Sequence, residues 1–298
     1  MANVDLIMPA QPVRALPAVR HIQLADLKDA LSSGLDDFWA MPTHVIFLCM
    51  IYPVIGVALG NATFNHNAIP LLYPLAAGFA LIGPIAGIWL FELSRRRELG
   101  LDTSWRHGFD VVHSPSFPSI LALGLLLLAI FGLWIAAAQA IYISAFGYRE
   151  IGAEDFARQV LTTPEGRRMM LVGNLVGLPF AIVAATISVV SFPLLLDRNV
   201  GFSVALMTSV RAVVKNPVVM AAWGLIVAAL LAIGSLPFFL GLAIVMPILG
   251  HATWHLYRKV VVPEAGERPE YHPRDKGTRY AADFPASLFF PAKREKLE

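Results

Sequence analysis

The chain has 298 residues, of which 57% are hydrophobic and 15% charged, with a mean hydropathy of +0.64 and a net charge of +2. Soluble domains carry roughly 25% charged residues and about 45–50% apolar ones, so this composition argues against an ordinary soluble fold. The small net charge gives no footprint for nucleic acid, and the single cysteine, Cys49, excludes an internal disulfide or a cysteine-rich metal site.

Residues 1–22 read as an N-terminal cytoplasmic arm. The charges at Asp5, Arg14, Arg20, Asp26, Lys28, Asp29, Asp36 and Asp37 interrupt any signal-peptide core, so the first apolar block is expected to serve as its own insertion signal. Apolar blocks then follow at about 43–60, 68–93, 118–143, 170–196, 217–234 and 236–257. Each approaches or exceeds the roughly 20 helical residues that cross a bilayer. The last two blocks are nearly continuous, but as one helix they would run about 60 Å, twice the hydrocarbon thickness. Gly234, Ser235 and Pro237 supply a break, so a hairpin is predicted. The expected fold is therefore all-α, a polytopic membrane bundle of six transmembrane helices occupying residues 23–260.

Basic residues set the orientation. Arg95, Arg96, Arg97 and Arg106 follow the second block; Arg198, Arg211 and Lys215 follow the fourth; Arg258 and Lys259 end the sixth. The 61–67 loop and the 234–236 turn contain no Lys or Arg. Both termini are thus expected on the cytoplasmic side of a cell inner membrane. The 144–169 loop, with Arg149, Arg158, Arg167 and Arg168 beside Glu150, Glu154, Asp155 and Glu165, is the one departure from that bias.

An amphipathic stretch stands ahead of each odd-numbered span. Leu24, Leu27, Leu31, Leu35 and Phe38 share a helical face before the first, Trp105, Phe109 and Val112 before the third, and Phe202, Leu206, Val210, Val213 and Val214 before the fifth. Such helices lie in the interface plane or pack on the spans as ordinary loop helices. Pro42, Pro118 and Pro217 open the three spans, and Asn216 suits an N-cap for the last of them, as Ser116 or Ser114 does for the middle one. The chain so reads as three units of interfacial helix, outward span and returning span. Beyond residue 260, five prolines among mixed charges predict a mostly disordered cytoplasmic tail over 261–298, with a short apolar stretch at 284–290.

Candidates for chemistry are sparse. Ionisable residues within a bilayer usually serve function, and the spans hold almost none. Glu92 lies three residues before Arg95 and is expected to pair or snorkel. Gln139 and Asn174 are neutral groups able to bond across helices. His251 and His255 share a face and could ligate a metal or haem, but they lack further ligands, and they read as members of an aromatic belt with Trp254 and Tyr257; His44 lies at the same end of its span. Gly56/Gly60, Gly83/Gly87 and Gly173/Gly177 are small-residue pairs for close helix packing, and Pro53, Pro74, Pro179 and Pro247 predict kinks. No catalytic residue, metal or cofactor is expected, and the bilayer is the expected partner.

The opening RALPAVRHIQLADLKDALSSGLDDFWAMP, the FELSRRRE end of the second span and SVRAVVKNP before the fifth resemble a bacterial family of integral membrane proteins, domain of unknown function family 2189. The resemblance runs from about Arg20 to Val261, and its motifs diagnose no activity. Some members of that family are labelled cytochrome c oxidase subunits, which implies at most a non-redox accessory role here, because His44, His251 and His255 are too few for two haems and a copper. The repeated unit is more loosely similar to the membrane domains attached to some glycerophosphodiesterases. Three readings follow: a non-enzymatic membrane-organising or accessory component, a transporter or channel for a neutral or lipid-like solute, and an accessory subunit of a respiratory complex.

Overall fold

A computed structural model describes residues 16–41, 74–75, 83–85, 87–148, 153–236 and 239–263. The first predicted span, with His44 and Cys49, lies outside these residues, as do much of the second span and the tail from 264 onward. Among the described residues all regular structure is helical. The elements are α1 (Leu24–Ala40), α2 (Ile88–Glu98), a 3-10 helix (Trp105–His113), α3 (Phe117–Phe146), α4 (Ala153–Thr162), α5 (Pro164–Ser188), α6 (Ser191–Asp197), α7 (Phe202–Lys215), α8 (Pro217–Ser235) and α9 (Leu242–Val260).

Among the described residues three stretches are both long and apolar enough to cross a membrane: α3, the nearly continuous α5–α6 rod of residues 164–197, and α8. The remaining three predicted spans do not join them among the described residues. The last of them, α9, has 19 residues, but His251, His255, Arg258 and Lys259 occupy its second half. The α5–α6 rod is interrupted at Val189–Val190, because Pro193 has no N–H to return to the carbonyl four residues back. Groups on α7 repair the gap: Ser209 accepts from the Val190 N–H at 3.2 Å and donates to the Thr186 carbonyl at 2.7 Å, while Ser191 donates to the Ala205 carbonyl at 3.1 Å.

The predicted break between α8 and α9 is present. Gly234 and Gly241 face each other so closely that a Cβ on Gly241 would lie 2.7 Å from the Gly234 carbonyl oxygen, and only glycine tolerates that approach. In the 144–169 loop, α4 folds back on α5 at Gly166, where a Cβ would meet the Gln159 carbonyl at 2.3 Å. Thr163 caps α5 by accepting from the Gly166 N–H at 3.0 Å, with Pro164 as the first helical residue.

Two expectations for the amphipathic stretches are corrected. The middle one is a 3-10 helix, so its side chains repeat every three residues. Gly108 and Val111 turn inward, with Gly108 against the Trp89 ring, and Trp105, Phe109 and Val112 stay exposed. The other two are α-helical: α1 buries Leu27 and Phe38 of its predicted face together with small residues, whereas α7 buries small residues rather than the predicted large ones. In α1 the inward face is Leu27, Ala30, Gly34, Asp37 and Phe38, leaving Leu24, Leu35 and Trp39 exposed. In α7 it is Ala205, Thr208, Ser209 and Ala212. Small residues let backbones approach, and α1 crosses α9 so closely that a Cβ on Gly34 would fall 2.6 Å from the Ala252 nitrogen.

Asn216 is not the predicted cap of α8, since its side chain bonds no α8 N–H. It reaches instead to the chain ahead of α1, accepting from the Ile22 N–H at 2.9 Å and donating to the Arg20 carbonyl at 3.0 Å. Ser116 likewise makes no side-chain cap for α3. The same N-terminal segment pairs antiparallel with the end of α9 through a bridge between Val19 and Val261.

Candidate functional site: a buried polar layer at one end of the bundle

Four helix turns from distant parts of the sequence converge where α1, α2 and α9 meet. On α1, only 3% of Asp37 is exposed. It accepts from the Ser94 hydroxyl at 2.5 Å and from His255 Nε2 at 2.9 Å, and it pairs with the Arg97 guanidinium. Burial works to raise the Asp37 pKa, but the bonds from His255, Ser94 and Arg97 outweigh it and hold the carboxyl below its usual range. Because the single Ser94 proton goes to this carboxylate, the contact of 2.8 Å between Ser94 Oγ and His251 Nδ1 requires the histidine to donate. That fixes His251 as the Nδ1–H tautomer. Its Nε2, fully buried, makes no hydrogen bond with any described residue.

Two further groups complete the layer. Glu92, 2% exposed, takes Arg95 through both oxygens at 2.8 and 2.9 Å and Arg96 at 2.8 Å; Arg96 continues to Asp110 at 2.9 Å, which also holds His107 at 2.8 Å. This ties the end of α2 to the 3-10 helix. On the other side of α2, Glu98 accepts from the Trp254 indole at 3.1 Å and from Arg258 at 2.8 and 3.0 Å. Asp197, at the end of α6, accepts from the Tyr257 hydroxyl at 2.5 Å and from Arg258 at 3.3 Å. At the edge of the layer Lys259 bonds Asp26 at 3.1 Å and Asp29 at 2.9 Å, linking the end of α9 to the first turns of α1.

The predicted polar residues divide sharply. Glu92, His251 and His255 all enter this layer. The aromatic-belt reading of the histidines is corrected: His251 and Trp254 have no exposed surface and Tyr257 has 1%, because the carboxylates of α2 and α6 draw their polar ends inward. Gln139 is half-buried on α3, and Asn174 is exposed and donates to the Met170 carbonyl of its own helix at 2.8 Å. A shallow cavity of about 100 Å³ lies elsewhere, at the far ends of α3 and α5, lined by Ser144, Glu165 and Arg168. Of the glycine pairs, Gly177 receives the Trp134 ring, while Gly173 faces open space. Asp37 and Ser94 were missed. The available signal was Gly34 three residues before Asp37 and Ser94 two after Glu92, small or polar residues on otherwise apolar faces.

Among the described residues no group of three or more histidine, cysteine or acidic side chains is arranged to hold a metal ion. What the layer does chemically is bind helices. Asp37, Glu98 and Asp197 collect donors from another element, while Glu92 holds Arg95 and Arg96 of its own helix and reaches the 3-10 helix through Arg96 and Asp110, and a buried charge persists only when paired.

Residues 72–197 match the model of a family described as a predicted integral membrane protein (DUF2189). No curated protein and no solved structure matches the chain. The match covers α2 through α6, and with the three helices of spanning length it identifies an integral membrane protein embedded in a lipid bilayer.

Proposed function

For an integral membrane protein of this build, we propose a non-enzymatic role as a membrane-organising or accessory component. The supporting observation is the use made of the acidic groups of the layer: Asp37, Glu98 and Asp197 each join one helix to another, and Glu92 orders the arginines at the end of its own helix. In the proposed arrangement, six spans cross a bacterial cytoplasmic membrane, with both termini and the 94–117 and 197–216 segments inside. The basic ends at Arg95–Arg97, Arg198 and Arg258 support it. Reporter fusions after Phe64 and after Lys259 test the topology, and alkaline phosphatase activity from the second would defeat it. Purification in mild detergent, with identification of the lipids and proteins retained, tests the role. Haem-bearing subunits retained in stoichiometric amount would move the assignment to an accessory respiratory subunit.

A second reading, transport of a neutral or lipid-like solute, is favoured by one observation. His251 Nε2 is a lone pair held at a fixed angle inside the bundle with no described residue bonded to it, and an unmade buried bond costs about 1–3 kcal/mol. Retention of a small polar solute that is lost in His251→Phe would support that reading.

A further inference from the structure

The cations at the polar end fall into two sets. Arg95, Arg96, Arg97, Arg198, Arg258 and Lys259 pair with the carboxylates of the layer. Arg20, Lys28, Arg211 and Lys215 are exposed and enter none of the ion pairs among the described residues. Lys215 donates to the Val19 carbonyl at 2.7 Å. These four are separated by up to 195 residues in sequence, yet the fold gathers their elements. Asn216, directly after α7, bonds Ile22 and Arg20, directly before α1, so the end of one helix is fastened to the start of the other. The nearest acidic residues on α1, Asp26 and Asp29, are engaged by Lys259, and α7 has no acidic residue at all.

Apolar surface flanks this joint on both sides. On α1 it is Leu24, Leu35 and Trp39; along α7 and α8 it is Met207, Val214, Val218 and Leu225, spaced seven, four and seven residues apart. Val214, Val218 and Leu225 are each more than 70% exposed. The second strip passes the non-helical Asn216 between α7 and α8, and its Val218 and Leu225 lie on the exposed side of α8, one of the three helices of spanning length among the described residues. Unpaired cations beside an apolar strip that continues into the bilayer present the two halves of an anionic phospholipid: charge for the phosphate, and surface for the acyl chains.

We propose that the joint between α7 and α1 is a headgroup site for an anionic phospholipid. Arg20, Lys28, Arg211 and Lys215 hold the phosphate, and the strips along α1 and along α7–α8 receive the chains. The site rests on the reading of α1 and α7 as interfacial helices. That an apolar helix of spanning length begins directly after α7 commits it to a lipid rather than a soluble anion.

The test uses the full chain reconstituted in nanodiscs of phosphatidylcholine alone and of phosphatidylcholine with phosphatidylglycerol. The expected result is a higher melting temperature for the wild type with phosphatidylglycerol. That gain should be lost in the triple variant Arg20→Gln, Lys28→Gln, Arg211→Gln and kept in Arg167→Gln, Arg168→Gln, whose cations lie at the opposite end of α5. Equal wild-type melting in both bilayers overturns the site, as does a triple variant that keeps the gain. Inorganic phosphate raising the melting temperature of the phosphatidylcholine sample as much as the lipid does would overturn the lipid assignment. A spin label at Leu35→Cys in a Cys49→Ala background reads depth separately. A label in bulk water removes the interfacial reading itself, whereas a label at the lipid boundary with no phosphatidylglycerol effect removes only the headgroup site.

Discussion

Helices α8 and α9 are the same length, 19 residues, and meet at one glycine-lined turn, but they are built on opposite plans. The first is almost uniformly apolar and mostly faces outward; only Val219, Met220, Trp223 and Gly234 are buried. The second contains two histidines, an arginine and a lysine, and twelve of its residues are buried, including His251, Trp254 and Tyr257. In water the more apolar helix would be the inner one. In a bilayer lipid covers apolar surface at no cost, while polar groups must find partners in the protein, so the order inverts. Hydropathy here marks contact with lipid, and burial follows the polar groups.

The largest effect expected on this contrast is at Asp37. Asp37→Ala removes the buried acceptor shared by Ser94, His255 and the exposed Arg97, and losing two or more hydrogen bonds to a charged group, each worth about 1.5–3 kcal/mol, should cost about 3–5 kcal/mol. Unfolding in detergent by a graded denaturant, followed by helix content, measures it. A cost near zero would mean that α1 is held without the layer. The same carboxylate gives the pH dependence its sign. Since its folded pKa is depressed, its stabilisation is fully present above the unfolded value near 3.8 and fades only as pH falls through the lower folded value. Stability of the wild type should therefore hold through mild acid and drop in strong acid, and Asp37→Asn should lack that limb of the curve.

Paired leucine substitutions test the two plans directly. Leu256 on α9 is fully buried and Leu225 on α8 is 72% exposed. Leu256→Ala should cost about 2–5 kcal/mol through the cavity it leaves, and Leu225→Ala should remain within about 0.5 kcal/mol. Equal costs would mean that another protein surface covers α8. A smaller effect is expected at the crossing of α1 and α9. Gly34→Ala forces the backbones apart at Ala252 and should cost about 1–3 kcal/mol, with thermal melting as the readout.

How far the sequence could be read depended on the range of the interaction. The break after Ser235 and the apolar lengths of α3, α5 and α8 follow from residues within a few positions of one another, and they were legible. Asp37 was not, because whether a carboxylate on an amphipathic helix faces water depends on what lies opposite. Here Ser94, Arg97 and His255 lie opposite, 57 to 218 residues away. Asn216 misled for the same reason: its position suited a cap, but its amide answers to Ile22 and Arg20.

By itself, then, the sequence determined that this chain enters a membrane as helices, because the demand for long apolar segments with internally satisfied backbones is local and admits few solutions. It also marked the basic end of each unit, since charge is excluded from the hydrocarbon residue by residue. Only the tertiary structure decided which helix is central, which cations are consumed inside and which are left at the surface. Those outcomes depend on pairing between buried charges from distant segments, and no spacing along the chain records a partner that only folding brings near.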